Sequence, residues 1–338
     1  MSDLADILNK ASSPRAKPKT DKDLVSAVMP NGLIPPNYHD VRLTGSMGRL
    51  QAPSLLHFRN FTVQESLLLA QISQKEDPSI IVQLLNACIW PGDNFDCGLL
   101  HREDAIEIMI NLYGTWWGSV IEGFYYAVDE TQEMGTGTNR SIAEIPVNSI
   151  HIKSLPDDVR DPMRLTDPDT GYKVEFIQPC LIFNKIIKDW LDTKYMDQEI
   201  KFNDYKWTLR ENEKRDKAGR SDLIRFNVTL AEQYEAYEYE RLTETLRVRR
   251  ALLVKSINGQ NLMTLEAKLQ SLQSIPLTMW EDYDKISEEK FDFGVDSEVE
   301  FICSIKHVPI RRRFSFRLMD FVPSVDGRRV SAYSVSFG

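Results

Sequence analysis

The chain has 338 residues, 42% hydrophobic and 27% charged, with a formal net charge of -9 and a mean hydropathy of -0.34. That composition supports a sizeable core and two or three domains, and it excludes a collagen-like or wholly disordered chain. The acidic balance argues against nonspecific nucleic-acid binding as the main activity. No apolar run reaches the length of a membrane span, and the first residues lack a basic-then-apolar signal order, so a cytoplasm is the expected place.

Residues 1–50 read as an extended N-terminal arm. Pro14, Pro18, Pro30, Pro35 and Pro36 are interspersed with Lys10, Arg15, Lys17, Lys19 and Lys22, and only Leu4, Ile7 and Leu8 offer an apolar face. Such a stretch buries too little to offset its ordering entropy, so it is either a disordered tail or an arm that orders on a partner.

Residues 51–120 read as a helical domain. Thr62-Val63-Gln64-Glu65 has the form of a capping box, with the Thr62 hydroxyl accepting the Glu65 N–H and the Glu65 carboxylate reaching back; Leu67 to Ile72 then begin a helix. Asp77-Pro78 opens a second helix, with Ile80, Ile81, Leu84, Leu85 and Cys88 on one face and Pro91-Gly92 as its stop. A third starts near His101-Arg102-Glu103-Asp104 and carries Ala105, Ile108, Met109, Leu112 and Trp116. The adjacent acids Glu103/Asp104 and Asp157/Asp158 read as caps or solvated faces, because neighbouring side chains diverge.

Residues 121–225 read as a small β-rich module with one helix and long loops. Phe124 to Val128 and Tyr172 to Ile177 favour strands, Ile182, Ile186, Ile187 and Trp190 mark the helix, and the charged stretch 203–222 reads as a loop. Residues 226–290 form a helical segment: a long helix over 229–257 stopped by Asn258-Gly259, one carrying Leu262, Leu265, Leu269 and Leu272 up to Pro276, and a short one with Leu277, Trp280 and Ile286. Residues 291–338 form a C-terminal β-hairpin module in which Val299, Phe301, Cys303 and Ile305 alternate with polar residues and Phe314 and Phe316 share a face. The fold class is therefore α+β: a helical N-terminal block and central long helices with two small β modules.

No phosphate loop, dinucleotide fingerprint, H-E-x-x-H or G-x-S-x-G motif is present, and Gly135-Thr136-Gly137 alone reads as a turn. The five histidines and Cys88, Cys97, Cys180 and Cys303 have no metal-ligand spacing, so the thiols are expected buried and reduced and no metal or cofactor is expected. Trp117, next to the stripe residue Trp116, is a candidate exposed contact, and Arg311, Arg312 and Arg313 are a candidate protein interface within a locally basic tail. In a strand, alternate arginines face opposite sides, so only part of that run can form one patch.

Phe58-Arg59-Asn60-Phe61-Thr62-Val63-Gln64-Glu65 with Leu68 resembles the F-T-V-x-E-x-L-L-L start of T-even-type phage baseplate hub assembly proteins. Phe95-Asp96, Leu99-Leu100 and Asp104 follow at the spacing of that family, and the helix after them ends in Gly114 to Ser119. Ser271 to Pro276, the Trp280 helix, Phe291-Asp292-Phe293-Gly294, the hairpin and Phe321-Val322-Pro323 resemble its C-terminal third. Many relatives carry paired cysteines in the hairpin, like a zinc knuckle. Here Lys306 stands where a partner for Cys303 would be, so the resemblance implies a knuckle without metal, held by Phe301, Phe314 and Phe316. It also implies a non-enzymatic hub component or assembly factor of a contractile tail, present in the host cytoplasm during assembly or in the virion baseplate, with other tail and baseplate proteins as partners. A peptidoglycan-degrading tail hydrolase and a nucleic-acid-binding adaptor acting through the arginines are the alternatives.

Overall fold

The computed structural model describes residues 34–62, 65, 68, 78–127, 139–219, 228–302, 308–316, 318–321 and 331–334. The arm up to residue 33, Leu67, Gly135-Thr136-Gly137, Cys303 with the turn after it, and Val322-Pro323 lie outside these residues. The architecture is mixed α+β.

Tyr38–Arg42 (β1) and Leu55–Arg59 (β2) form an antiparallel pair with Val41 opposite Leu56. Val41 and Leu43 are buried in the first core, so residues 34–50 are not part of an extended arm. The prolines read there as arm signals precede β1, and the apolar residues after them are enough to dock the segment.

Pro78–Cys88 (α1) places Ile81, Leu84, Leu85 and Cys88 in the interior, as its spacing predicts. Asp96 then caps a short turn: its Oδ1 accepts the Gly98 N–H (2.8 Å) and the Asn86 Nδ2 (2.9 Å). Arg102–Trp116 (α2) follows with His101 as N-cap. It is buried on most sides, Ile106 and Ile110 included, because residues 38–42, 294–295 and 318–321 all pack against it.

Val120–Ala127 (β3) and Asn139–Pro146 (β4) form a hairpin. Ile152–Lys153 (β5) leads out of this first lobe. The second lobe opens with Met163–Thr166 (β6) and Lys173–Phe176 (β7). Ile182–Lys194 (α3), Met196–Lys201 (α4), Asn203–Lys217 (α5) and Val228–Leu253 (α6) come next, and then Val254–Ile257 (β8) and Gln260–Asn261 (β9). Leu265–Ser271 (α7) and Leu277–Lys290 (α8) close the lobe. Its sheet has the order β6-β7-β8-β9, antiparallel throughout. Phe176 at its centre stacks on Trp280 (5.0 Å) and Tyr283 (4.8 Å) of α8.

The chain returns through Gly294–Val295 (β10), which pairs with β5. The outgoing and returning connections thus lie side by side, over a small core of Leu155, Val159 and Phe293. Glu298–Ile302 (β11), Pro309–Ser315 (β12) and Ser331–Ser334 (β13) then join β3 and β4 in a sheet of order β11-β12-β13-β3-β4, with β13 parallel to β3. β11 also packs near β4, so the sheet curls on itself.

This packing differs from the division at 121–225 and 291–338. Val299, Phe301, Phe314, Phe316 and Phe321 share one core with Leu84 and Met109, so the hairpin is a wall of the first lobe and not a separate module. The strands of 121–225 are split between the lobes, because β3 pairs toward the C-terminal strands and β7 pairs with β8.

Candidate interaction surfaces and buried polar centres

The hairpin register sets the arginine run. Glu298 lies opposite Arg313, Val299 opposite Arg312 and Glu300 opposite Arg311. Arg313 donates to Glu298 (2.9 Å) and Arg311 to Glu300 (3.2 Å), all on an exposed face. These pairs contribute about 0–1 kcal/mol each, but they offset the positive charge that an acidic partner or nucleic acid would meet. Arg312 is exposed and donates to the Arg311 carbonyl (3.1 Å), and among the described residues it is the one of the three with no ion pair to an acid.

Trp117 sits at the C-cap of α2, its N–H donating to the Tyr113 carbonyl (2.9 Å). Its ring packs against Phe61 (4.6 Å), Tyr113 (6.2 Å) and Trp116 (6.4 Å), and Trp116 meets His39 of β1 edge-on (6.2 Å). Both tryptophans are half-buried, so Trp116 is not the fully covered core residue and Trp117 not the freely exposed one that the spacing predicts. They fasten β1 and the 61 segment to the end of α2 while keeping part of each ring in water.

At the other end of α2 the acids are interior. The Glu107 carboxylate accepts the Thr44 N–H (2.7 Å), the Thr44 hydroxyl (2.6 Å) and the Gly45 N–H (3.0 Å), which pins the loop after β1. Asp104 is fully buried beside Ser46, whose hydroxyl and N–H lie close enough to offset part of the cost of burying the carboxylate without completing a well-aligned hydrogen bond to it. Burial, with the Glu107 and Glu103 charges adding to it, pushes its pKa up to about 7. His101 Nδ1 accepts the Glu103 N–H (3.2 Å), and burial with the Arg102 charge lowers its pKa to about 4, so the ring is neutral as the cap requires. Asp104 is therefore not on a solvated face. It continues the Ala105–Ile108 stripe one turn earlier, a signal visible in the spacing.

The Thr62 box forms in altered shape. Glu65 accepts the Thr62 N–H (2.7 Å) and also the Thr62 hydroxyl, so that hydroxyl does not cap the Glu65 N–H, which bonds the Thr62 carbonyl instead (3.1 Å). Burial alone would raise the Glu65 pKa, but the Arg59 ion pair (2.8 Å) and the Thr62 bonds hold it at about 2. Arg59 also donates to the Ala87 carbonyl (2.9 Å), tying β2 to α1.

In the second lobe Lys268 is 3% exposed, and burial lowers its pKa to about 8. Cys180, whose thiol is pushed up to about 12, and Asp161, raised to about 6, are desolvated in the same lobe. Lys268 falls at helical spacing between Leu265 and Leu272, so a charge within an apolar stripe was the available signal. Cys88, Cys97 and Cys180 are buried, as expected, and no group of three or more His, Cys, Asp or Glu among the described residues could hold a metal ion.

Gly294 explains one resembling element. Its φ of 96° is outside the range that side chains tolerate, and a Cβ there would lie 2.5 Å from the Glu103 Cβ. Phe293 beside it stacks on His101 (4.9 Å). The Phe291–Gly294 element therefore lets β10 lie directly on α2. Compared with protein-family models, curated proteins and solved structures, the chain matches none.

Proposed function

We propose that the chain is a structural or assembly protein of a contractile phage tail baseplate, in its hub region, acting through protein–protein interfaces and without catalysis. The observation that carries this reading is the order of the resembling sequence elements, from Phe58–Glu65 through Phe95-Asp96 to Phe291–Gly294 and the hairpin. Two further facts support it. The resembling elements at 58–65, 95–104 and the C-terminal hairpin fold into one lobe, while Ser271–Pro276 and the Trp280 helix lie in the other, and the first set builds its lobe's frame: Arg59 and Glu65 clamp β2, Asp96 caps the turn before α2, and Gly294 seats β10. The lobe's surface then leaves half-exposed aromatic rings and Arg312, which has no ion pair among the described residues, for neighbours.

The nucleic-acid alternative is weakened by the two glutamates that pair with Arg311 and Arg313. The hydrolase alternative rests only on scattered acids and partly exposed aromatic rings.

The test is a deletion of the gene in a phage that carries it, with mass spectrometry of purified virions. Tail assembly should fail without the chain. A fixed small copy number in wild-type virions identifies a resident component, and failed assembly with no copies in virions identifies a transient factor. Normal tails without the chain would overturn both versions, and clearing of peptidoglycan by the purified protein would favour the hydrolase.

A further inference from the structure

The long helix α6 is covered on one side only. Tyr237, Glu244, Val248 and Ala251 face the second core, with Glu244 held by the Trp190 Nε1 (2.9 Å) and Lys194 (3.1 Å). On the opposite side Tyr239, Leu242 and Leu246 are 74%, 58% and 52% exposed. Single exposed apolar residues are ordinary on a protein surface. These three recur at i, i+3 and i+7 on one helix of 26 residues, which is the spacing of a helix-pairing seam.

The charges along the exposed part of the helix are ordered. Glu232, Glu235 and Glu238 are exposed before the apolar stripe, and Arg247, Arg249 and Arg250 are exposed after it. Acids early and bases late suit the helix dipole, but the dipole gives no reason for apolar residues in water between them. Arg247 pairs with Glu244 (3.4 Å) and Arg250 reaches Asp284 (4.0 Å) within the chain. Arg249 has no ion pair among the described residues, and neither has Glu235. Glu235, Leu242 and Arg249 are spaced seven residues apart and so share one face of the helix.

We propose that this face of α6 binds a second copy of the chain, with the two helices antiparallel about a two-fold axis at Leu242. In that arrangement Leu242 meets its own copy, Tyr239 and Leu246 close the seam on either side, and Glu235 of each copy lies beside Arg249 of the other. The contact is self-complementary, as a two-fold interface must be. A parallel pairing would set glutamate on glutamate and arginine on arginine, so the charge order selects the antiparallel one. The inference stands on α6 alone and is independent of the proposed tail role.

The test is sedimentation velocity of the full chain at micromolar concentration, with circular dichroism as a check on folding. The wild type is expected to be a dimer. Leu242→Glu, at an exposed position, is expected to be a folded monomer. Glu235→Arg is expected to weaken the dimer by about tenfold or more, and Glu235→Arg with Arg249→Glu to restore it. A monomeric wild type, a dimer that survives Leu242→Glu, or a double variant no tighter than Glu235→Arg would each overturn the proposal.

Discussion

At the scale of single residues, Asp104 couples the first lobe to pH. Its pKa of about 7 in the folded chain stands above an unfolded value of about 3.9. Between those values the folded chain holds a proton that the unfolded chain has released, so stability falls as pH rises through the window and the loss is complete above it. Asp104→Asn removes this term. The stability of the variant relative to wild type, from thermal melts, should grow from pH 4 to pH 7 and then level off, by at most about 4 kcal/mol. A difference constant with pH would show that the Asp104 carboxyl ionises as readily in the folded chain as in the unfolded one. Glu65 shifts in the opposite direction: the stability it contributes is present above its unfolded pKa and is lost only as pH falls toward about 2.

At the scale of elements, local patterns met tertiary partners that changed their outcome. The charged stretch 203–222 reads as a loop, yet 203–217 of it form the helix α5, supported by Lys217–Glu213 (2.6 Å) and Arg215–Glu211 (3.8 Å) pairs one turn apart and docked through Tyr205. Asn258-Gly259 reads as a helix stop, but α6 ends at Leu253 and the pair is the two-residue turn between β8 and β9, with φ of 48° and 81°. Val254 and Ile257 leave the helix because β7 offers them a strand edge. For the hairpin, register decides which arginine is available. Arg312→Glu should leave thermal stability within about 0.5 kcal/mol, since the side chain is exposed, and should reduce incorporation of the chain into tail particles. Unchanged incorporation would remove Arg312 from the interface.

At the scale of the whole molecule, the described residues build two large cores and a small third, and the chain crosses between the large ones along paired strands β5 and β10. The first core is discontinuous in sequence, so a cavity at one end of the chain should be felt at the other. Leu84→Ala should cost about 2–5 kcal/mol. Hydrogen exchange should accelerate in α1, α2 and the β11–β12 hairpin, while the central turns of α6 in the second lobe keep their protection. Uniform acceleration in both lobes would show a single cooperative unit, and protection retained in the hairpin would show an independent module.

The α+β class, the helices at α1, α2, α3 and α8, and the hairpin strands were legible in the sequence, because each carries its own apolar period and bounding residues. So were the buried thiols and the alternation that separates Arg312 from its neighbours. Which strands meet was not legible, since β3 pairs with β13 across more than two hundred residues and no local spacing encodes a partner that distant. The same holds for the burial of Asp104 and Lys268 and for the apolar stripe left outside on α6. A helical pattern tells which residues share a face, and only the packing of the other elements decides whether that face meets protein or water.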